Sequence, residues 1–186
     1  MCDTEGYTKS LDKLVSMSEK EYYVQLVDIN RHQIIVARAI LWLLVVVIGF
    51  DIASFEWFFN KVPQSTDKLV FLAPVYFFTG LSLILAVIAF YFAVMSIPAI
   101  GGYKTLHKNG WAEYSNYAYD QFDQDVENIE ALTLNKILSR LDTACTHGSK
   151  TNSDRAIKLR TSSYLIISAV VTATAGFLIF LFKLYL

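Results

Sequence analysis

The chain has 186 residues, of which 54% are hydrophobic and 18% are charged, and its mean hydropathy is +0.39. A soluble domain carries about 25% charged residues, so the composition argues against an ordinary soluble protein. The net charge of -1 argues against a protein that binds nucleic acid through bulk positive charge. The two cysteines form no CxxC motif, and the three histidines lack the spacing of a metal site.

Three long apolar segments dominate the rest of the sequence: residues 34–52, 69–97 and 163–182. A hydrocarbon core of about 30 Å needs about 20 predominantly apolar residues in a helix, so each segment is long enough to cross a bilayer. The first segment contains Arg38 and Asp51, whereas the other two contain no charged residue. We therefore predict an all-α membrane protein with three transmembrane helices and a cytoplasmic helical extension.

The positions of Lys and Arg predict the orientation of these helices. Four basic residues precede the first segment and eight lie between the second and the third, whereas the connection after the first segment has only Lys61 and Lys68. Cytoplasmic loops carry the excess of Lys and Arg, so the N-terminus is expected in the cytoplasm and the C-terminus outside. The predicted order is a cytoplasmic N-terminal amphipathic helix at 1–33, two transmembrane helices joined by a short outside loop at 34–97, a cytoplasmic helical region at 98–161, and the third transmembrane helix with a short outside tail at 162–186.

Local signals predict where the cytoplasmic helices begin and end. Ser18 and Glu21 form a capping box, which is typical of a helix N-terminus. Pro98 and the glycine pair at 101–102 are expected to end the second span. A second cytoplasmic helix is predicted at 111–145, ending at the His-Gly-Ser sequence 147–149. The Asn-Ser-Asp sequence 152–154 is then expected to cap a last helix that enters the third span.

Three ionisable residues in and just after the first span are candidates for function, because charges at membrane depth are costly and usually functional. Asp51 and Glu56 are expected either to be hydrated at the outer interface or to form an acidic ring at a pore mouth when several chains assemble. Arg38 either snorkels to the inner interface as an anchor or faces a pore, where it would repel cations. The anchor is the favoured interpretation of Arg38.

The third span contains three small residues at four-residue spacing, namely Ser168, Thr172 and Gly176. Such a row permits close approach of two helices. It is expected to contact protein rather than lipid, either within the chain or in a self-associated oligomer.

No catalytic arrangement is evident in the sequence. It has no glycine-rich phosphate loop, nucleophile elbow or HExxH motif. We expect a protein that is not an enzyme and that has no catalytic residues, no cofactor and no metal site.

Two stretches flank the membrane entries: VDINRHQIIVARAILWLL at the first and LNKILSRLDTACTHGSKTNSDRAIKLRTSSYLIISAVV at the last. With the order of the spans, they resemble small bacterial anti-phage membrane effectors, including Pycsar transmembrane effectors and retron-associated membrane effectors. The second stretch resembles the helix, Asn-containing turn and basic helix that lead into the final span of such proteins.

This resemblance implies an effector in the bacterial inner membrane that oligomerises or opens when triggered, disrupts the membrane and arrests growth before the phage multiplies (abortive infection). The implied partners are the lipid bilayer, further copies of the chain, and a sensor complex. That sensor is either a reverse transcriptase with its RNA/DNA or the product of a nucleotide cyclase, and no direct nucleic-acid binding is expected.

Two other functional classes stay open. The first is a non-enzymatic membrane accessory, such as an immunity or exclusion protein or a complex subunit, that acts by binding a partner. The second is a membrane enzyme or transporter, which would need a buried polar cluster across the spans.

Overall fold

The computed structural model of the chain describes residues 4–63, 67–97, 112–124 and 126–185. It is about 94% helical, and no strand occurs in these ranges. The elements in chain order are α1 (Thr4–Tyr23), a π-helix (Val24–Ile29), α2 (Asn30–Lys61), α3 (Lys68–Met95), α4 (Ala112–Asp123) and α5 (Ile129–Tyr185). The all-α class predicted from the composition is therefore confirmed.

Three helical stretches are long and apolar enough to cross a membrane. They are Glu5–Lys61, in which α1, the π-helix and α2 follow one another, then Lys68–Met95 and Ile129–Tyr185. Each contains one of the apolar segments identified in the sequence. At about 1.5 Å per residue, the 57 residues of α5 extend over roughly 85 Å. This helix is about three times as long as the hydrocarbon core of a bilayer is thick.

The chain divides into two compact units. The polar unit comprises Met1–His32 and Gly101–Ser153, and the apolar unit comprises Gln33–Ile100 and Asp154–Leu186. The apolar unit holds α3 and most of α2, together with the C-terminal part of α5.

Buried residues in the apolar unit follow one another at alternating spacings of three and four. In α2 they are Gln33, Ala37, Ile40, Leu44, Val47, Asp51, Ser54 and Phe58. In α3 they are Leu72, Val75, Thr79, Ser82, Ala86, Ala89 and Ala93. This is the seven-residue repeat of helices that pack as in a left-handed coiled coil. The many small side chains of α3 permit close helix approach.

We call the buried rows along α2, α3 and the C-terminal part of α5 the seam. The apolar residues of the seam form two separate hydrophobic clusters. The first joins seam residues such as Leu44 in α2, Ala89 in α3 and Ile166 in α5. The second contains Phe58 and Phe180, whose ring centroids are 4.7 Å apart. Between these clusters along the helices, the seam is polar, and this level contains the candidate site.

Two predicted helix boundaries in the polar region are wrong. The helix expected at 111–145 is interrupted after Asp123, and α5 begins only at Ile129. Asn128 lies at the break with φ 61°, a left-handed conformation that Asn adopts more readily than most residues. The interruption expected at 147–154 does not occur, because α5 passes through it without a break.

A further boundary differs from the prediction, because Ser18 does not begin a helix and α1 already starts at Thr4. The helix that contains the first apolar segment continues past residue 52, to Lys61. The predicted break at Pro98 and residues 101–102 lies outside the described residues.

Candidate functional site

Among the described residues of the apolar unit, one carboxyl group is buried. Asp51 is on the seam of α2 and its side chain is fully buried, with 0% exposure. The Ser82 hydroxyl of α3 donates a hydrogen bond of 2.8 Å to Asp51 Oδ2. No hydrogen-bond partner reaches Asp51 Oδ1 from the described residues. The seam spacing explains the burial, because Asp51 takes the position that an apolar residue occupies one turn earlier at Val47.

Asp51 and Ser82 belong to a polar layer, which we define as Asp51, Ser54, Thr79 and Ser82. All four side chains are at most 8% exposed. The Thr79 hydroxyl donates to the Val75 carbonyl of its own helix at 3.0 Å. The polar layer lies between the two hydrophobic clusters, so it interrupts an otherwise apolar core.

The polar layer is far from both ends of the apolar helices. Asp51 lies about 15 Å along the helix axis from Lys61 and about 20 Å from Arg38. Ser82 is near the middle of α3, which runs from Lys68 to Met95. The structure surrounds Asp51 with side chains of α2 and α3. Its hydration at the outer interface and its place in an acidic ring stay predictions.

Arg38 and Glu56 are not brought together with Asp51. Both are on the surface of α2, outside the seam. Two ion pairs, Lys9–Glu5 and Arg140–Glu113, lie in the polar unit. Arg38 as a membrane anchor and Glu56 in an acidic ring stay predictions.

The small-residue row of the third span is only partly in contact with other helices of the chain. Gly176 is buried, and a Cβ atom placed on it would lie 3.1 Å from Phe78 Cβ in α3. Ser168 is exposed and Thr172 is half-buried. The row drifts off the seam because its spacing is four throughout, whereas the seam alternates three and four. That Ser168 and Thr172 contact a second protein chain stays a prediction.

Polar side chains connect the helices of the apolar unit at other levels. The Ser162 hydroxyl of α5 donates to the Ala89 carbonyl of α3 at 2.8 Å. Near the opposite end, the Lys183 ammonium donates to the Phe71 carbonyl at 3.1 Å. These bonds use carbonyl oxygens that already accept within a helix, and they fix the neighbouring helices in one register.

The polar unit has a buried contact at the π-helix. The Asn152 side-chain amide donates to the Gln25 carbonyl at 3.2 Å, and both residues are buried. A π-helix inserts one extra residue into a turn, and the buried positions Gln25 and Gln33 are accordingly eight residues apart instead of seven. Sequence reasoning assigned Asn152 to a helix cap. It instead supports the π-helix from the middle of α5.

Cys145 is the buried thiol of this unit and donates to the Ser18 carbonyl at 3.6 Å. Burial raises the pKa of the Cys145 thiol, and the negative charges of Glu21 and Asp142 raise it further. Such a thiol is mostly protonated at neutral pH and is a poor nucleophile. A groove of about 440 Å³ beside it is lined by hydroxyl and charged side chains.

Ser82 and Asn152 are the residues whose roles sequence reasoning missed. In the sequence, Ser82 is one of several small residues in the second apolar segment. Its place in the same seven-residue repeat as Thr79, Ala86 and Ala93 is the signal that assigns it to the helix interface.

The described residues contain no group of three or more His, Cys, Asp or Glu side chains that could hold a metal ion. Comparison with known proteins gives no match, since no family model, no curated protein and no solved structure is significantly similar to the chain.

Proposed function

We propose that the chain is a membrane effector of a bacterial anti-phage defence system. In its resting form it lies in the inner membrane as a bundle of three transmembrane helices with a cytoplasmic helical extension. When triggered, it oligomerises or opens and disrupts the membrane, and growth stops before the phage completes its cycle. The polar layer in the apolar unit is the observation that carries this proposal.

The burial of Asp51 is costly. A polar group at membrane depth must be satisfied within the protein or by water, and Asp51 has one hydrogen bond, from Ser82. Its side chain is fully buried in the single chain. If several copies assembled with this level facing inward, the Asp51 side chains would line a hydrated path. The polar layer thus favours a second arrangement of the helices, which an effector requires.

Continuous helices offer a route for the trigger. α5 contributes residues to both units without a break, and α1, the π-helix and α2 follow one another in the same way. A partner that bound the polar unit would contact the same helices that form two of the three spans. A sensor complex, either a reverse transcriptase with its RNA/DNA or the product of a nucleotide cyclase, would act here.

The proposed orientation has a direct test. With Cys2 and Cys145 replaced by Ser, a single cysteine at Asn60 should react with a membrane-impermeant maleimide in intact spheroplasts. A single cysteine at Ser139 should react only after lysis. Labelling of the cysteine at 139 but not of the one at 60 in intact spheroplasts would show the opposite orientation. Labelling of both sites in intact spheroplasts would refute the proposed topology.

The proposed mechanism is tested by membrane potential in a bacterial host that carries the chain with its neighbouring genes. Asp51→Leu keeps the helix and removes the polar side chain, and Glu56→Leu is the matched change at an exposed position of the same helix. We expect loss of depolarisation in the Asp51 variant and retention in the Glu56 variant. Wild-type depolarisation by Asp51→Leu would contradict a path lined by this residue.

An accessory role is the second candidate, and exposed aromatic residues on α4 favour it. Tyr119 and Phe122 are 66% and 70% exposed, whereas Tyr114 of the same helix is buried. Aromatic residues are enriched at protein interfaces. An accessory protein would have a stable partner and no toxicity when expressed alone. Phe122→Ala should then abolish co-purification of that partner without changing membrane potential.

A further inference from the structure

The oxygen atoms of Asp51 differ in their surroundings. Oδ2 accepts the hydrogen bond from Ser82, whereas Oδ1 is buried and accepts none from the described residues. An ionised carboxylate has about four acceptor sites, and its burial without a cation is strongly unfavourable. In a protonated carboxyl, Oδ2 is the carbonyl oxygen that accepts from Ser82, and Oδ1 carries the proton. The Oδ1–H group has no acceptor among the described residues, but an unpaired neutral donor is less costly to bury than an unpaired charge.

The charged and titratable groups of the surrounding helices do not compensate a negative charge on Asp51. On α2 these groups are Arg31, His32, Arg38, Glu56 and Lys61. On α3 they are Lys68, Tyr76 and Tyr91. On the part of α5 in the apolar unit they are Asp154, Arg155, Lys158, Arg160, Tyr164, Lys183 and Tyr185. The basic groups of α2 lie toward the helix ends, about 15 Å or more along the axis from Asp51. The Tyr76 hydroxyl donates to the Phe55 carbonyl.

We propose that Asp51 and Ser82 form a proton-binding site in the middle of the helix bundle, and that Asp51 is occupied by a proton at neutral pH. The proton is the ligand that fits the geometry, since it neutralises the carboxyl at the oxygen that has no donor. The site belongs to the resting bundle, so its existence does not depend on whether the chain is an effector.

Release of this proton would leave a negative charge between two hydrophobic clusters. The charge would stabilise any arrangement that admits water or a cation to the polar layer, because a buried carboxylate without such a partner is unfavourable. Proton occupancy and tight packing of α2 on α3 therefore depend on each other. A bundle that keeps its proton stays closed, and a bundle that opens to water releases it.

Infrared spectroscopy of the full chain in lipid nanodiscs tests the site. An aspartic acid in water has a pKa of about 3.9, so an exposed carboxyl is ionised at pH ~7. We expect a protonated-carboxyl C=O band at pH ~7 that is lost in Asp51→Asn and retained in Glu56→Gln. In Ser82→Ala the band should persist and move to higher frequency, because the carbonyl oxygen loses its donor.

Ser162→Ala is the control for a general effect of removing a buried hydroxyl, and it should leave the band unchanged. Since Ser82→Ala retains the carboxyl, its frequency shift assigns the band even if Asp51→Asn fails to fold. Absence of the band at pH ~7, or its loss in Glu56→Gln, would overturn the proposal. A band that appears only when sodium is withdrawn would assign the pair to a cation and would also overturn it.

Discussion

Two glycines in the spans provide a matched test of the helix packing. A Cβ atom at Gly176 would lie 3.1 Å from Phe78 Cβ and 3.5 Å from the Val75 carbonyl oxygen, whereas one at Gly80 would meet nothing within 4 Å. Gly176→Leu and Gly80→Leu bring the same gain in helix propensity, about 1 kcal/mol. The difference between them is the cost of forcing a side chain into a packed interface, about 1–3 kcal/mol.

The assay is the free energy of unfolding in mixed micelles of SDS and a mild detergent, with helix content followed by circular dichroism. We expect Gly80→Leu to be neutral or stabilising and Gly176→Leu to be the less stable of the two by about 1–3 kcal/mol. Part of this cost cannot relax, because one contact of Gly176 is a backbone oxygen rather than a flexible side chain. Equal stabilities would refute the packing of α5 on α3 at this level.

Three further predictions follow from single contacts. Ser162→Ala, which removes a hydrogen bond between two helices, should lower the free energy of unfolding by about 0.6 kcal/mol, whereas Ser163→Ala, which removes one within α5, should change it little. Asn152→Ala should lower the free energy of unfolding by about 1–3 kcal/mol and speed amide exchange in the π-helix. Thr151→Ala should have neither effect. The raised pKa of the Cys145 thiol contributes stability that is complete below its unfolded value, near 9.0, and is lost as the pH rises through the folded value. The free energy of unfolding should therefore fall at alkaline pH, and the fall should be smaller in Cys145→Ala; identical pH profiles would contradict the burial of this thiol.

The three apolar segments were predictable because a long run without charges is the strongest signal in such a sequence. Helix ends were less predictable. Asn128 lies at a helix break in a region that was predicted to be one continuous helix. In contrast, α5 continues through Asn152, where a break between helices was predicted. Asn has two hydrogen-bonding groups and suits a turn, a cap or a buried contact. Which of these occurs depends on partners distant in sequence, here the Gln25 carbonyl for Asn152.

The candidate site was predictable in part. Asp51 was identified as unusual, since an ionisable residue in a span usually has a role. Its burial was not predicted, because the first span was expected to end near residue 52, where Asp51 would be hydrated. Ser82 could not be assigned as the partner until the packing of α3 against α2 was known.

Membrane potential during infection tests the central claim most directly. Cells that carry the chain with its neighbouring genes would be infected while a voltage-sensitive dye and cell density are followed together. We predict depolarisation and growth arrest before phage release, and neither in cells that lack the chain. Infection that is blocked while the membrane potential stays intact would contradict the account, as would infection that proceeds normally.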